Sequence, residues 1–246
     1  MYGLIAGTGF DRLFQVEEKK TVSTPYGQAL IYRLKIEGKD IIYLPRHGLD
    51  HDLAPHKINY RANCWALKEL GVHHLISLCA VGSLKEAYAP GDLVLVKDII
   101  DFTKNRISTY FDGDLNPLRH LDVSQVYNQE INQVLKDLGK RNKVSLKEGV
   151  YLATEGPRFE TPSEVKFYAA IGGDLVGMTG APEVFLANEL SMTYNALAYV
   201  TNYGTGISQE NVELSASFPQ VLPLVSSLLG DLLKENQSFP IKTKFV

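Results

Sequence analysis

The chain has 246 residues, 45% of them hydrophobic and 22% charged, with a formal net charge of -3. That length suits one domain with a full core, and the charge leaves no footprint for nucleic acid or an anionic membrane. Cys64 and Cys79 make no disulfide framework, lack metal-ligand spacing and sit among apolar neighbours, as buried reduced thiols do. No apolar run is long enough to cross a bilayer. The start, Met1 to Ala6, lacks the basic region of a signal peptide, so the cytoplasm is the expected location.

Strand-like runs alternate with helical patterns along the chain. Tyr2 to Ala6 is a short apolar run ending in Gly7-Thr8-Gly9. Ile31 to Ile36 and Ile41 to Leu44 predict paired strands around Gly38, and Asn59 to Leu70 predicts a helix stopped by Gly71. Leu75 to Val81 and Leu93 to Ile100 predict buried strands, and Asn128 to Leu138 an amphipathic helix ending at Gly139. Val150 to Ala153 predicts a strand that leads into Thr154-Glu155-Gly156-Pro157-Arg158-Phe159-Glu160-Thr161. There Thr161 suits an N-cap, Pro162 the first helical position and Glu164 a capping box, for a helix to Ile171 closed by Gly172-Gly173. Leu175 to Met178 predicts a short strand, Pro182 to Leu190 a helix, Tyr194 to Thr201 a central strand and Phe218 to Lys234 a long last helix. The polar tail from Gln237 is expected to fray. Without a repeat, a low-complexity segment or a linker, the expectation is an α/β fold. It is a single domain over 1–246, with a central mixed β-sheet flanked by helices.

In such sheets ligands gather at the carboxyl ends of strands. Thr8, Arg46 and His47, Cys79 and Ala80, Met178 and Thr179, and Asn202 each follow a predicted strand, which points to one composite site. Gly7-Thr8-Gly9 lacks the third glycine of a dinucleotide fingerprint but suits a turn offering a hydroxyl and N–H groups to an anion. The planar fork of Arg46 suits a tetrahedral oxyanion, with His47 as a second donor. His47 and His51 have i, i+4 spacing, but Gly48 and Pro55 make this a loop without a supporting acidic pair, so no metal is expected. Ala80 to Leu84 adds backbone N–H groups, Met178 an apolar side chain, Thr179 a hydroxyl and Asn202 an amide that both donates and accepts. The Gly-Pro turn holds Phe159 and Glu160 as a flat polar ligand requires. A 6-oxopurine fits that set: Glu160 accepts from N1–H, and Asn202 donates to N7 or O6.

With these residues in view, the chain resembles the purine nucleoside phosphorylase family, in its methylthioadenosine/methylthioinosine phosphorylase branch. The resemblance runs from Gly7 to the last helix. It rests on Gly-Thr-Gly at Gly7, Arg-His-Gly at Arg46, Pro55 to Asn63, Ala80 to Leu84, Pro90 to Leu93, Glu155 to Thr161, Val176 to Thr179 and Pro182-Glu183. It implies a homotrimer with active sites at subunit interfaces and inorganic phosphate as a co-substrate, with no cofactor. Phosphate would be held by Thr8, Arg46, His47, Ala80 with neighbouring Cys79, and Thr179. Phe159 and Met178 would pack on base and ribose. Glu160 and Asn202, with Gly204 beside them, would read the base, and His120 would be lent by the adjoining subunit. Glu160, Asn202 and His47 would carry the catalysis.

Methylthioadenosine phosphorylases place a small hydroxyl residue where this chain has Glu160, and Asp-x-Asp where it has Asn202-Tyr203-Gly204. A buried carboxylate facing N1 of adenine meets a lone pair, a mismatch of about 1–3 kcal/mol or more. Hypoxanthine or guanine is therefore the expected base. No histidine follows His120 to meet a 5′-hydroxyl, and Val221, Leu222, Val225 and Leu228 of the last helix are expected to offer apolar groups there. Methylthioinosine is thus the expected nucleoside, with inosine, guanosine or methylthioadenosine as alternatives. A hydrolase using Glu155 and Glu160 as acid and nucleophile would act without phosphate. A non-catalytic purine-binding protein would release no product with it.

Overall fold

The computed structural model describes residues 1–7, 16–48, 52–208, 218–235 and 237–246, with no side chain described at 218–220. Among them are nine strands: β1 (Tyr2–Ala6), β2 (Val16–Thr24), β3 (Gly27–Ile36), β4 (Lys39–Pro45), β5 (His74–Ser83), β6 (Leu93–Asp101), β7 (Leu146–Ala153), β8 (Leu175–Gly177) and β9 (Thr193–Tyr203). Five helices accompany them: α1 (Tyr60–Glu69), α2 (Gln129–Arg141), α3 (Pro162–Ala170), α4 (Gly180–Glu189) and α5 (Phe218–Lys234). This is the mixed α/β sheet with flanking helices that the alternating pattern predicts.

Most boundaries follow from local chemistry. β3 turns into β4 through Glu37 and Gly38, both at positive φ (51° and 76°), the two-residue turn that matches strand twist. α1 is capped by the Asn59 side chain, which accepts from Ala62 N, and ends before Gly71 at φ 81°. α3 carries the predicted capping box: Thr161 Oγ1 accepts from Glu164 N, and Glu164 accepts from Thr161 N. Three expectations fail. The first is the fraying of the tail from Gln237: Phe239 is buried, Phe245 forms a β-bridge with Leu121, and Thr243 Oγ1 donates to Asn188 O (2.9 Å), so apolar anchors hold it down. β2, polar over most of its length and exposed on both faces, lacks an alternating signal, so the sequence pattern passes over this edge strand. α2 runs on through Gly139 to Arg141 and ends at Asn142. Gly139 is needed there for space, because a Cβ would lie 3.0 Å from Val144 O and from the Leu146 side chain.

The strand order is β2-β3-β4-β1-β5-β8-β7-β6-β9, and β9 also pairs with β5 in parallel. The last five strands therefore close on themselves as a small barrel, and β2, β3, β4 and β1 form an open wing. β9 occupies one edge of β5 along its length. On the other edge β1 pairs as far as Ser77, and β8 begins only at Gly82. Between them the edge from Leu78 to Val81 pairs with no described strand. A cavity opens at that gap.

α1 and α4 pack on one face of the sheet, over a core that includes Ile5, Leu67, Tyr151 and Tyr194. α2 and α5 pack on the other, over Leu4, Tyr43, Leu95 and Leu197. α3 covers a smaller cluster of Leu84, Leu152, Val165, Tyr168 and Val176. No helix among the described residues is long and apolar enough to cross a membrane.

Candidate active site

The cavity has a volume of about 640 Å³, the range of a small-molecule site. Arg46 and His47 follow β4, Leu78 and Ala80 to Gly82 come from β5, Met178 and Thr179 follow β8, and Tyr199, Thr201 and Asn202 come from β9. Phe159 and Glu160 close one side from the turn before α3, and Asp52 to Pro55 another.

Arg46 is 2% exposed, and its fork is already occupied. Nε donates to Glu183 Oε2 (2.7 Å), and Nη2 donates to Glu183 Oε1 (2.8 Å) and to Ser77 Oγ. Nη1 donates to Leu78 O (3.2 Å), which leaves the second Nη1 N–H beyond these bonds. Burial alone would penalise the guanidinium charge, and Glu183 outweighs it. Ser77 and Tyr194 also donate to Glu183, so the carboxylate sits at the centre of a buried network. His47 Nδ1 donates to Leu53 O (2.8 Å), while Leu53 N donates to His47 O (3.1 Å). A carbonyl only accepts, so the proton is on Nδ1, and Nε2 becomes a donor only in the imidazolium.

Thr179 precedes α4 at its positive end, with no side-chain cap. The backbone N–H groups of Thr179 and Gly180 donate to Tyr151 Oη, 3.2 Å each. A Cβ at Gly177 or Gly180 would strike that ring, at 2.2 and 2.8 Å, so both positions need glycine. Gly156 likewise lets the turn lie against Met178, whose Sδ would be 2.5 Å from a Cβ there.

On the opposite wall Thr154 Oγ1 donates to Glu160 Oε1 (2.8 Å). Burial pushes the Glu160 carboxyl up, against the lowering effect of Thr154. Asn202 Nδ2 donates to Tyr203 O (2.9 Å), and Thr201 Oγ1 donates to Asn202 Oδ1 (2.8 Å). Because Tyr203 O can only accept, the amide orientation is fixed, and a second Nδ2 N–H remains for a ligand acceptor. The cavity thus has hydroxyl and guanidinium donors beside the His47 imidazole at one end and a carboxylate with an amide at the other. Apolar surface from Met178 and Phe159 lies along it.

Residues 1–236 match the family described as the phosphorylase superfamily. The chain belongs to that superfamily. It is 40% identical over 251 residues to a probable S-methyl-5′-thioinosine phosphorylase of Methanothermobacter thermautotrophicus, covering 98% of this chain and 87% of that protein. It is 46% identical over 208 residues to a probable 6-oxopurine nucleoside phosphorylase of Dictyoglomus turgidum, covering 83% and 79%. Among solved structures, methylthioadenosine phosphorylase of Schistosoma mansoni with adenine superposes with a TM-score of 0.89 at 29% identity, covering 96% and 92%.

In this phosphorylase fold, Arg46, His47, Ala80, Phe159, Glu160, Met178, Thr179, Asn202 and Gly204 share one cavity. Cys79 does not line it. Successive side chains of a strand point to opposite faces, so Ala80 faces the cavity and Cys79 is buried in the core. His120 is exposed and outside the cavity of its own chain. Thr8 and His51 lie outside the described residues. Among those described, no cluster of His, Cys, Asp or Glu is placed to hold a metal.

Val221, Val225 and Leu228 do not face the cavity as expected: they are buried against the sheet, and Leu222 packs beside them. A helix of that amphipathicity covers the sheet before it can line a pocket. Glu155 also misses the cavity, since its carboxylate accepts from Lys104 N (2.8 Å) and lies 3.6 Å from Arg106 Nε. Sequence reasoning assigned no role to Glu183, Ser77, Thr154 or Arg106. Arg106 donates to the carbonyls of Met178, Ala181, Thr154 and Glu155 and so ties the two cavity walls together. Glu183, in the Pro182-Glu183 motif, and Thr154, at the head of the Thr154 to Thr161 motif, had signals that could have found them.

Proposed function

We propose that this chain catalyses phosphorolysis of S-methyl-5′-thioinosine to hypoxanthine and 5-methylthioribose 1-phosphate. Purine nucleoside phosphorolysis is common to both names its relatives carry. The choice of base rests on one observation: Glu160 and Asn202 are buried on the cavity wall, each fixed by a threonine hydroxyl. Together they offer an acceptor for N1–H and a donor for N7 or O6, the edge of a 6-oxopurine. A 6-aminopurine would set its N1 lone pair against the carboxylate.

Phosphate would sit at the other end, near the remaining Nη1 N–H of Arg46, the His47 imidazole, Ala80 and the Thr179 hydroxyl. Thr8 belongs to the same proposal. An oxygen of phosphate bonds to C1′ as the C1′–N9 bond breaks, and that electron pair leaves with the purine. Negative charge beneath C1′ stabilises an oxocarbenium-like transition state, and Asn202 stabilises the departing base at N7. Neither a metal nor an organic cofactor enters this scheme. His120 reaches a site only if a second subunit lends it. Ile107, Leu115, Leu118 and Val123, exposed on the same stretch of chain, suit that contact within a homotrimer.

The methylthio preference rests on the lack of a histidine after His120 and on the apolar surface of Leu53, Pro55, Met178 and Phe159. A second reading, an inosine or guanosine phosphorylase, is favoured because the last helix supplies no described group to the cavity. Free base released from methylthioinosine, inosine and methylthioadenosine, each with and without phosphate, tests both. Fastest turnover of methylthioinosine, only with phosphate, is expected. Base release without phosphate would overturn the reaction class, and preference for inosine or methylthioadenosine would overturn the substrate.

A further inference from the structure

Thr154 stands directly after β7, and its surroundings leave its hydroxyl one strong acceptor. Its own N–H donates to Gly177 O (2.8 Å), so that carbonyl is already served. Its Oγ1 lies 3.5 Å from the same carbonyl but 2.8 Å from Glu160 Oε1. The hydroxyl has one proton, and both distance and charge give it to the carboxylate. Both side chains are buried, so water does not readily replace the bond. Arg106 fixes the Thr154 carbonyl from behind (3.3 Å).

The other charged groups near Glu160 are engaged elsewhere. Glu164, at the start of α3, takes both Nη groups of Arg158 and the N–H of Thr161. Besides its own backbone N–H, Glu160 has Thr154 as the side-chain donor that stabilises its ionised form, and of the two Thr154 has the larger effect. An ionised carboxyl can only accept, which suits N1–H of a 6-oxopurine. A protonated one can donate, which suits the bare N1 of a 6-aminopurine.

Resting on the base reading above, we propose that Thr154 is a specificity-determining positioning residue whose hydroxyl holds Glu160 as an acceptor and so favours 6-oxo over 6-amino nucleosides. Burial favours the protonated carboxyl, and the Thr154 bond opposes it. Removing the hydroxyl lets the protonated form gain ground, and discrimination falls.

Methylthioinosine and methylthioadenosine differ only at the base, so the ratio of their kcat/KM values isolates the effect. In Thr154→Val that ratio should fall about tenfold, the scale of one buried hydrogen bond to a charged group. The KM for phosphate should stay unchanged, and Thr154→Ser should restore the ratio. Thr154→Ala, also without a hydroxyl, gives the same comparison should the valine variant be poorly soluble. An unchanged ratio in both hydroxyl-free variants, or an equal loss on both nucleosides with a raised phosphate KM, would overturn the proposal. A wild-type chain that prefers methylthioadenosine to methylthioinosine would instead overturn the base reading.

Discussion

Arg46 is a charged side chain held almost wholly out of water, and it is tolerated there because Glu183 meets its fork edge-on. Breaking such a pair leaves a buried charge uncompensated, at about 3–5 kcal/mol. Glu183→Gln should therefore lower the urea midpoint of unfolding by a corresponding amount and raise the phosphate KM, since Arg46 is no longer held at the cavity floor. An unchanged midpoint would mean that the network is dispensable. Glu160 is the second residue whose environment decides its chemistry. Burial raises its carboxyl, Thr154 and its own backbone N–H lower it, and the smaller effects of Glu164 (raising) and Arg158 (lowering) oppose each other. The folded chain therefore binds this proton better than the unfolded one. The resulting stability is fully present below the unfolded carboxyl's pKa and is lost as pH rises through the folded value. Activity runs the other way, because N1–H needs the ionised form. On acidification, kcat/KM for methylthioinosine should fall with a midpoint above the usual carboxylate range. A pH profile with its acid limb at an ordinary carboxylate value would remove Glu160 from that role.

At the scale of elements, the turn before α3 shows how a helix start can position a binding group. The capping box of Thr161 and Glu164 fixes the residue after Glu160, and Arg158 folds back on Glu164 through both of its Nη groups. The Glu164 carboxyl is held down to about 2, chiefly by Arg158 and then by Thr161 N–H. Its contribution is present above the unfolded carboxyl's pKa and is lost only as pH falls through about 2. The exposed Arg158 pair adds little by itself. Thr161→Ala should cost about 1 kcal/mol of stability, as other lost N-caps do. The nucleoside KM should rise, because the turn that presents Phe159 and Glu160 loosens. Thermal unfolding and steady-state kinetics on the same variant separate the two effects.

For the whole molecule, the gap on the edge of β5 between β1 and β8 creates the cavity, and the closed half of the sheet holds its walls in place. Phe159 is 49% exposed, and the stretch bearing His120 exposes Leu115 and Leu118 at 66% each. Apolar surface of this kind, close in sequence to a residue wanted at another subunit's site, fits assembly into the proposed trimer. Leu118→Asp should convert a species of three chains into one of a single chain by light scattering, with loss of turnover. Full activity in a single-chain species would show that His120 is not needed from a neighbour.

The capping box, the stop at Gly71 and the strand-end positions of Arg46, Thr179 and Asn202 were legible in the sequence because short-range rules govern them. A cap acts over three residues, a glycine at positive φ acts on its own turn, and a buried strand announces itself as an apolar run. β2 and the true end of α2 were not legible, since an exposed edge has no period and Gly139 answers to a neighbour met only in space. The same holds for Glu183 beneath Arg46, for Thr154 behind Glu160 and for the inward turn of Cys79. Each depends on which partner stands across a packed interior, and contacts between residues far apart in the chain are fixed only when the sheet closes.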